Sequence, residues 1–350
     1  MVNINLLDLF TYTLGGAMTL ILIKMGTTIK YENINIKHPK LFASVFVHQY
    51  LLDPLYVLVL SILIKPPLHQ LYGMFTVILT PSSAAAAVSA YTVDADVPFA
   101  LALSIASLIQ SIILTPFLFT VMLTAYAQIV KIDSNTIKMP YFRMFLLMSY
   151  VLTLIGIGYK MRQKMKKELV DNIGYYFEKS AIILLFTASG LFFASPEFKE
   201  SFGSKDHYSY YGSMLIMSFI SLFKAHIPIC NEENSVKDSA VLITFRKSPS
   251  LALVIAAISF NDVEDYNKIL GFVFLYNFIR DWVTMPYLMI LRKKRLGHYF
   301  YSSVKKARDA KELTESDELD TSNISIEENI EENIEENIEV NIEENIEENI

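Results

Sequence analysis

The stretch Val241–Ser259 reads VLITFRKSPSLALVIAAIS, an apolar segment of membrane length broken in its interior by Arg246, Lys247, Ser248 and Pro249. Each charge at the centre of a bilayer costs about 3 kcal/mol even on the most forgiving insertion scale, so such residues are retained where they face protein or water. Proline removes a backbone donor and breaks the hydrogen-bond ladder of the preceding turn. Together these features predict a discontinuous helix whose opened backbone lines a cavity near the membrane midplane. A second interrupted segment lies upstream, TVILTPSSAAAAVSAYTV at Thr76–Val93, where Thr80, Pro81, Ser82 and Ser83 break the apolar run. Proline-broken segments at corresponding places in two halves of a chain point to the binding site of a transporter.

Working outward, stretches of eighteen or more mostly apolar residues recur along the chain. Each is long enough to cross roughly 30 Å of hydrocarbon, which excludes a soluble single domain. The formal net charge of −6 conceals a division: 16 of the 36 acidic residues follow Ala310, and the body before it, with 20 acids and 29 bases, is basic. The single cysteine, Cys230, excludes an internal disulfide framework, a CxxC redox pair and a thiolate metal cluster, and reads as a buried apolar residue. The six histidines form no HExxH pair, and neither a Walker loop nor a GxSxG elbow occurs. Enzyme chemistry and ATP-driven pumping therefore have little support. The reading assigns no catalytic residue, no cofactor, no metal set and no nucleic-acid partner. The first apolar run lacks a basic n-region and a small-residue cleavage site, so it is expected to stay as the first span.

Hydropathy places nine spans, near Leu6–Thr28, Leu41–Ile64, Leu71–Val93, Val97–Ile129, Tyr141–Lys160, Ile173–Ala194, Tyr208–Ile229, Val241–Ile258 and Ile269–Leu291, with the third and eighth broken. Basic clusters follow the first span (Lys30, Lys37, Lys40), the fifth (Lys160, Arg162, Lys164, Lys166, Lys167) and the last (Arg292 to Arg295). An odd span count puts all of them on one side, which the positive-inside rule makes cytoplasmic. The amino terminus is then outside, the carboxyl terminus is inside, and the plasma membrane is favoured over internal membranes.

Several polar residues fall within these spans. Lys24, near a span end, is expected to snorkel to the interface. Asp53, in HQYLLDPLYVL, and the pair Arg280 and Asp281, in LYNFIRDWVTMP, fall near mid-span. Neighbouring residues on a helix point about 100° apart, so Arg280 and Asp281 are expected to pair with other helices rather than with each other. Asp53 and Asp281 would each neutralise one of Arg246, Lys247 and Arg280, leaving one positive charge for an anion. Asp94 and Asp96 read as a solvated loop. The run Ser82–Ala90 is small enough for close helix packing, with Ser82 and Ser83 as candidate ligand contacts. Beyond Leu296 the apolar pattern ends, and from Ile326 an IEEN repeat begins. Its four-residue period drifts around a helix by roughly 40° per repeat, so no stripe forms; it reads as a disordered acidic tail or a short segment that binds a cytosolic partner.

These residues resemble the bile acid:sodium symporters and their arsenite-exporter relatives. Gly15–Leu55 is similar to that family's opening helix, basic connector and Gln-aromatic helix. TPSSAAAAVSAYTVDADVPFALALSIAS, at Thr80–Ser107, resembles its first broken helix, with Pro81 on the family proline and Asp96 on the aspartate of its Gly-Asp turn. FRKSPSLALVIA, at Phe245–Ala256, resembles the second break of exporter branches. The resemblance implies an inverted repeat of four plus five helices, roughly 6–130 and 137–292. It also implies a panel domain and a core domain in which the two broken helices cross. Gln49 and Ser104 match sodium-site positions, whereas the Ser-Asn pair and the glutamate of sodium-coupled members fall on Ala86, Ala87 and Ile243. The cysteine and glutamate of arsenite exporters fall on Ser82 and Ser250. These replacements weigh against sodium coupling of the usual kind and against arsenite. The auxin-efflux carriers share the architecture and remain a rival label.

The expectation is therefore an all-α polytopic membrane protein with a transporter domain at 1–296 and a cytosolic tail at 297–350. It would be a secondary transporter of a small organic solute, an anion by its charges, working by alternating access. Arg246 and Lys247 would attract the solute, Ser82, Ser83 and Ser248 bond it, and Gln49 line the core, while Pro81 and Pro249 make the breaks. A proton or sodium is the candidate coupling ion. The other reading is a non-transporting scaffold or sensor whose acidic tail recruits a cytosolic partner.

Overall fold

The computed structural model describes residues 6–28, 38–132, 140–195, 208–226, 234–263 and 265–317. Lys30, Lys37, Cys230 and the IEEN repeat lie outside them. Among the described residues the chain is all α, the one extended pairing being an isolated bridge between Ser82 and Lys247. Helices occupy the stretches read as spans: α1 (Leu6–Thr28), α2 (Pro39–Val47) continuing through a π-helical turn (His48–Leu52) into α3 (Asp53–Ile64), α4 (Leu68–Leu79), α5 (Ala84–Thr92) and α6 (Val97–Val130). They are followed by α7 (Tyr141–Lys164), α8 (Lys167–Ala194), α9 (Tyr208–Ala225), α10 (Asn234–Phe245), α11 (Pro249–Ser259) and α12 (Tyr266–Asp317). Five helical stretches, Leu9–Thr28, Pro39–Ile64, Val97–Val130, Tyr141–Lys164 and Lys167–Ala194, are long and apolar enough to cross a membrane.

Three boundaries lie well outside the hydropathy reading. α8 starts at Lys167, not Ile173, α10 starts at Asn234, not Val241, and the last helix runs on to Asp317 rather than ending near Leu291. Hydropathy marks where side chains tolerate lipid, but Lys, Glu, Arg and Ala are good helix formers in water and extend a helix beyond it. The chain divides into one compact unit at Met1–Arg292 and a second at Lys293–Ile350. The functional features below all belong to the first.

The π-helical turn follows from Pro54. Proline has no N–H to donate to the turn before it, and the Asp53 N–H reaches back five residues to the His48 carbonyl. The widened turn leaves His48, Gln49, Tyr50 and Asp53 buried, while Leu51 faces outward. π-bulges of this kind recur at functional sites.

α1 lies against α7 and α8. In lipid no hydrophobic force drives helices together, so small residues that let backbones touch carry the contact. Gly26 and Gly158 do this: a Cβ on Gly158 would sit 2.0 Å from the Ile23 carbonyl oxygen, and one on Gly26 would sit 2.2 Å from that of Ile155. The remaining helices gather around the two breaks. Contacts between helix ends sort into two sets. At one end His69 meets Asp265 at 3.2 Å and Arg143 pairs with Asp262. At the other, the Asp96 N–H donates to the Ser235 carbonyl at 3.3 Å and Arg162 pairs with Asp171.

The glycine contact yields a paired test. Gly158→Ala should lower the thermal unfolding midpoint of the purified protein by the equivalent of about 1–3 kcal/mol, because the clash is with backbone that cannot rotate away. Gly156→Ala, where a Cβ meets nothing within 4 Å, should leave it unchanged. Equal midpoints for both variants would refute the close approach.

Candidate functional site

The site begins with two prolines. The residue before a proline is pushed out of the helical region, and Thr80 (ψ 138°) and Ser248 (ψ 106°) are both extended. Each break frees backbone groups that have no water to turn to, and every buried one must find a partner. They find each other. The Ser83 N–H donates to the Arg246 carbonyl and the Ser248 N–H donates to the Pro81 carbonyl, both at 2.9 Å, closing a two-bond antiparallel bridge where the broken helices cross. The Ser248 hydroxyl caps α11 by accepting from the Leu251 N–H at 3.4 Å, with Pro249 in the first helical turn where its missing donor costs nothing.

A polar chain steadies the crossing. The Ser82 N–H donates to the Ser107 hydroxyl at 3.1 Å, and Ser107 donates to Gln49 Oε1 at 2.7 Å. Gln49 Nε2 then donates to the Ile243 carbonyl at 3.2 Å. Gln49 is thus buried with both ends of its amide committed to protein. Ser104 reaches the Ser83 carbonyl at 3.5 Å. The Ser82 hydroxyl is buried and has no hydrogen-bond partner among the described residues.

The charges separate at the break because the backbone there is extended and successive side chains point opposite ways. Lys247 turns inward, 3 % exposed, its ammonium 2.9 Å from Asp53 Oδ2 though out of line for a hydrogen bond. Lys224 pairs with the other oxygen of Asp53, lies 3.4 Å from the His48 carbonyl, and sits 5.5 Å from the centre of the Tyr56 ring. Arg246 turns the other way, bonded to the Ser89 hydroxyl and 3.5 Å from the half-exposed carboxylate of Asp281. Arg280 is fully buried against Tyr276, with Asp281 at 3.8 Å.

With this geometry in place, a family comparison is informative. The model of the sodium bile acid symporter family matches residues 16–197. The chain belongs to that family. No curated protein matches it. The symporter-family match covers α1 to α8 and the first break, so the chain is an integral membrane protein of a transporter family. The second break and the four cations Lys224, Arg246, Lys247 and Arg280 all lie beyond the matched segment.

The structure brings together Gln49, Ser82, Ser83, Lys247, Ser248, Pro81, Pro249 and Asp53 at the crossing, with Arg246 and Asp281 on its other side. It corrects four expectations. Asp96 is no free loop residue: its carboxylate caps α6, accepting from the Phe99 N–H at 2.8 Å. Lys24 does not snorkel but pairs with Glu178 of α8. Arg280 was expected to reach an acid on another helix, yet among the described residues the carboxylate it meets is that of its neighbour Asp281, at 3.8 Å. The charge count was one cation short, since Lys224 enters the same network. Lys224 stands one residue from the end of α9 and reads as a snorkelling residue. The available signal was its alignment with Ser213 and Ser221, which bond Gln70 (2.8 Å) and Tyr56 (2.6 Å) along one face of α9.

Asp53→Asn should leave two buried ammonium groups without a carboxylate and lower stability by about 3–5 kcal/mol, seen as a large fall in unfolding midpoint. Adding Lys247→Met to Asp53→Asn should recover part of it. Arg246→Gln breaks a partly exposed pair and should cost about 0–1 kcal/mol. No recovery in the double variant would show that Asp53 is not held by Lys247.

Proposed function

We propose that the protein is a secondary transporter of small organic anions, in which substrate binds beside the crossing of α4–α5 with α10–α11 and the core moves against a panel of α1, α7 and α8. The observation that carries this reading is the excess of cations over acids gathered at a hydrogen-bonded helix crossing. Two ammonium groups share Asp53, and two guanidinium groups share Asp281. Arg246 is the group to attract the substrate, since its acid partner is half exposed and exchangeable. Lys247 is its structural counterpart, held in the core by Asp53. The Ser82 hydroxyl supplies a donor at the same break. Ser83 and Ser248 contribute backbone donors to the crossing, and Ser248 spends its hydroxyl on a cap.

Coupling in this reading does not depend on sodium. Gln49 is bonded at both ends, and the family's carboxylate position is Ile243, whose side chain carries no charge. In proteoliposomes given a panel of external radiolabelled small carboxylates and sulfonates, replacing external sodium with choline should change the uptake rate by less than about twofold, and Arg246→Gln should raise KM about tenfold or more, the loss of a charge-assisted contact. A steep, saturable sodium requirement, or normal KM in Arg246→Gln, would overturn it.

The orientation is part of the proposal: nine crossings with the amino terminus outside. The two sets of end contacts, His69 with Asp265 and Arg143 with Asp262 on one side, Asp96 with Ser235 and Arg162 with Asp171 on the other, support the crossing count, because each pair joins ends that nine crossings put on the same side; the basic clusters after the first, fifth and last spans support the outside amino terminus. In a Cys230→Ser background, an impermeant thiol reagent added outside intact cells should label Lys131→Cys and spare Lys166→Cys. The reverse pattern would refute the orientation.

A further inference from the structure

Among the described residues Arg280 is the largest fully buried side chain, 1 % exposed. Two of its three nitrogens, Nε and Nη1, have no hydrogen-bond partner among the described residues. Its third, Nη2, lies 3.8 Å from Asp281, a carboxylate that also serves Arg246 at 3.5 Å. The other charged groups around it make matters worse: Lys247 and Arg246 are both near enough to repel it. Tyr276 offers only its ring face, with the guanidinium 5.9 Å from the centroid. Among the described residues the buried charges are the cations Lys224, Lys247 and Arg280 and the acid Asp53.

A lysine in such a place can shed its proton. A guanidinium cannot, so it must meet a negative charge. Asn277, one turn earlier on α12, also has an amide oxygen without a partner, and an ordered water could serve both side chains. Water brings no charge to set against the guanidinium, however. Two unfilled donors on a buried cation, with a shared and distant carboxylate, describe an anion site.

We propose that a chloride ion, held against the Nε and Nη1 donors of Arg280, is a resident counter-charge of the core, distinct from the substrate drawn to Arg246. The site does not depend on the transport reading, because it compensates a charge that the fold itself buries. Chloride suits it: a monovalent ion with no hydrogens, it accepts from both donors at once and brings no polar atoms that would need partners of their own.

The test uses the purified full-length protein in detergent, held at constant ionic strength in sodium gluconate while chloride replaces gluconate. A ligand bound only by the folded state raises the unfolding midpoint saturably, by about 5 °C at a hundredfold excess over its dissociation constant. Arg280→Met should have the same midpoint in either salt, while Arg246→Gln should keep the chloride response. If Arg280→Met does not fold, Arg280→Lys retains the charge without the planar fork, and half-saturation should move to higher chloride. The proposal is overturned by an unsubstituted protein indifferent to chloride, which leaves only water at Arg280, or by a response that survives Arg280→Met or is unshifted in Arg280→Lys. A response lost in Arg246→Gln and kept in Arg280→Met would put the anion at the break instead, rejecting this site while favouring the transport reading.

Discussion

In a hydrocarbon environment a backbone N–H or C=O left open has no water to fall back on. Pro81 and Pro249 each stand at a break in a buried helical segment, and neither break could persist alone. The Ser83-to-Arg246 and Ser248-to-Pro81 hydrogen bonds make each opening the partner of the other. This constraint decides much else. It requires the breaks to lie at equal depth and to run antiparallel. It requires extended backbone at Arg246 and Lys247, and extended backbone sends the two cations to opposite sides. The Ser82, Ser107, Gln49 and Ile243 chain then ties the crossing to α6 and to the π-helical turn.

The fold was largely legible because its determinants are local. Apolar run lengths, the prolines and the small residues after Pro81 locate nearly every helix and both interruptions. Asp53 lies 2.9 Å from Lys247 and Asp281 3.5 Å from Arg246, contacts between residues that the sequence already sets apart as charges inside apolar runs. What could not be read depends on which faces meet. Lys224 joins the Asp53 cluster because α9 turns its serine stripe toward α3 and α4, a packing choice that hydropathy does not register. Glu178 hides within an apolar span until Lys24 of α1 is set beside it. Asp96 looked like loop chemistry until the start of α6 gave it a backbone donor.

The cation cluster has an evolutionary reading in physical terms. The matched part of the chain contributes the first break, the packed helices α7 and α8 and the polar core residues Gln49 and Ser107, whereas all four cations belong to the unmatched part. A positive group covalently attached at a helix crossing does the electrostatic work that a dissolved cation would do, but it cannot leave. Under the transport reading proposed above, a site of this composition would favour negatively charged cargo over neutral cargo.

The meeting of Gly26 with Gly158 bears on how such a cycle could proceed. Where two helix backbones touch, one cannot slip past the other by a turn without driving a leucine or isoleucine into the space a hydrogen now occupies. α1 and α7 are therefore keyed together like two halves of a hinge plate, stiff against shear and free only to tilt as a unit. Relative sliding then falls to the seams where α11 and α6, helices that contain no glycine, meet that plate.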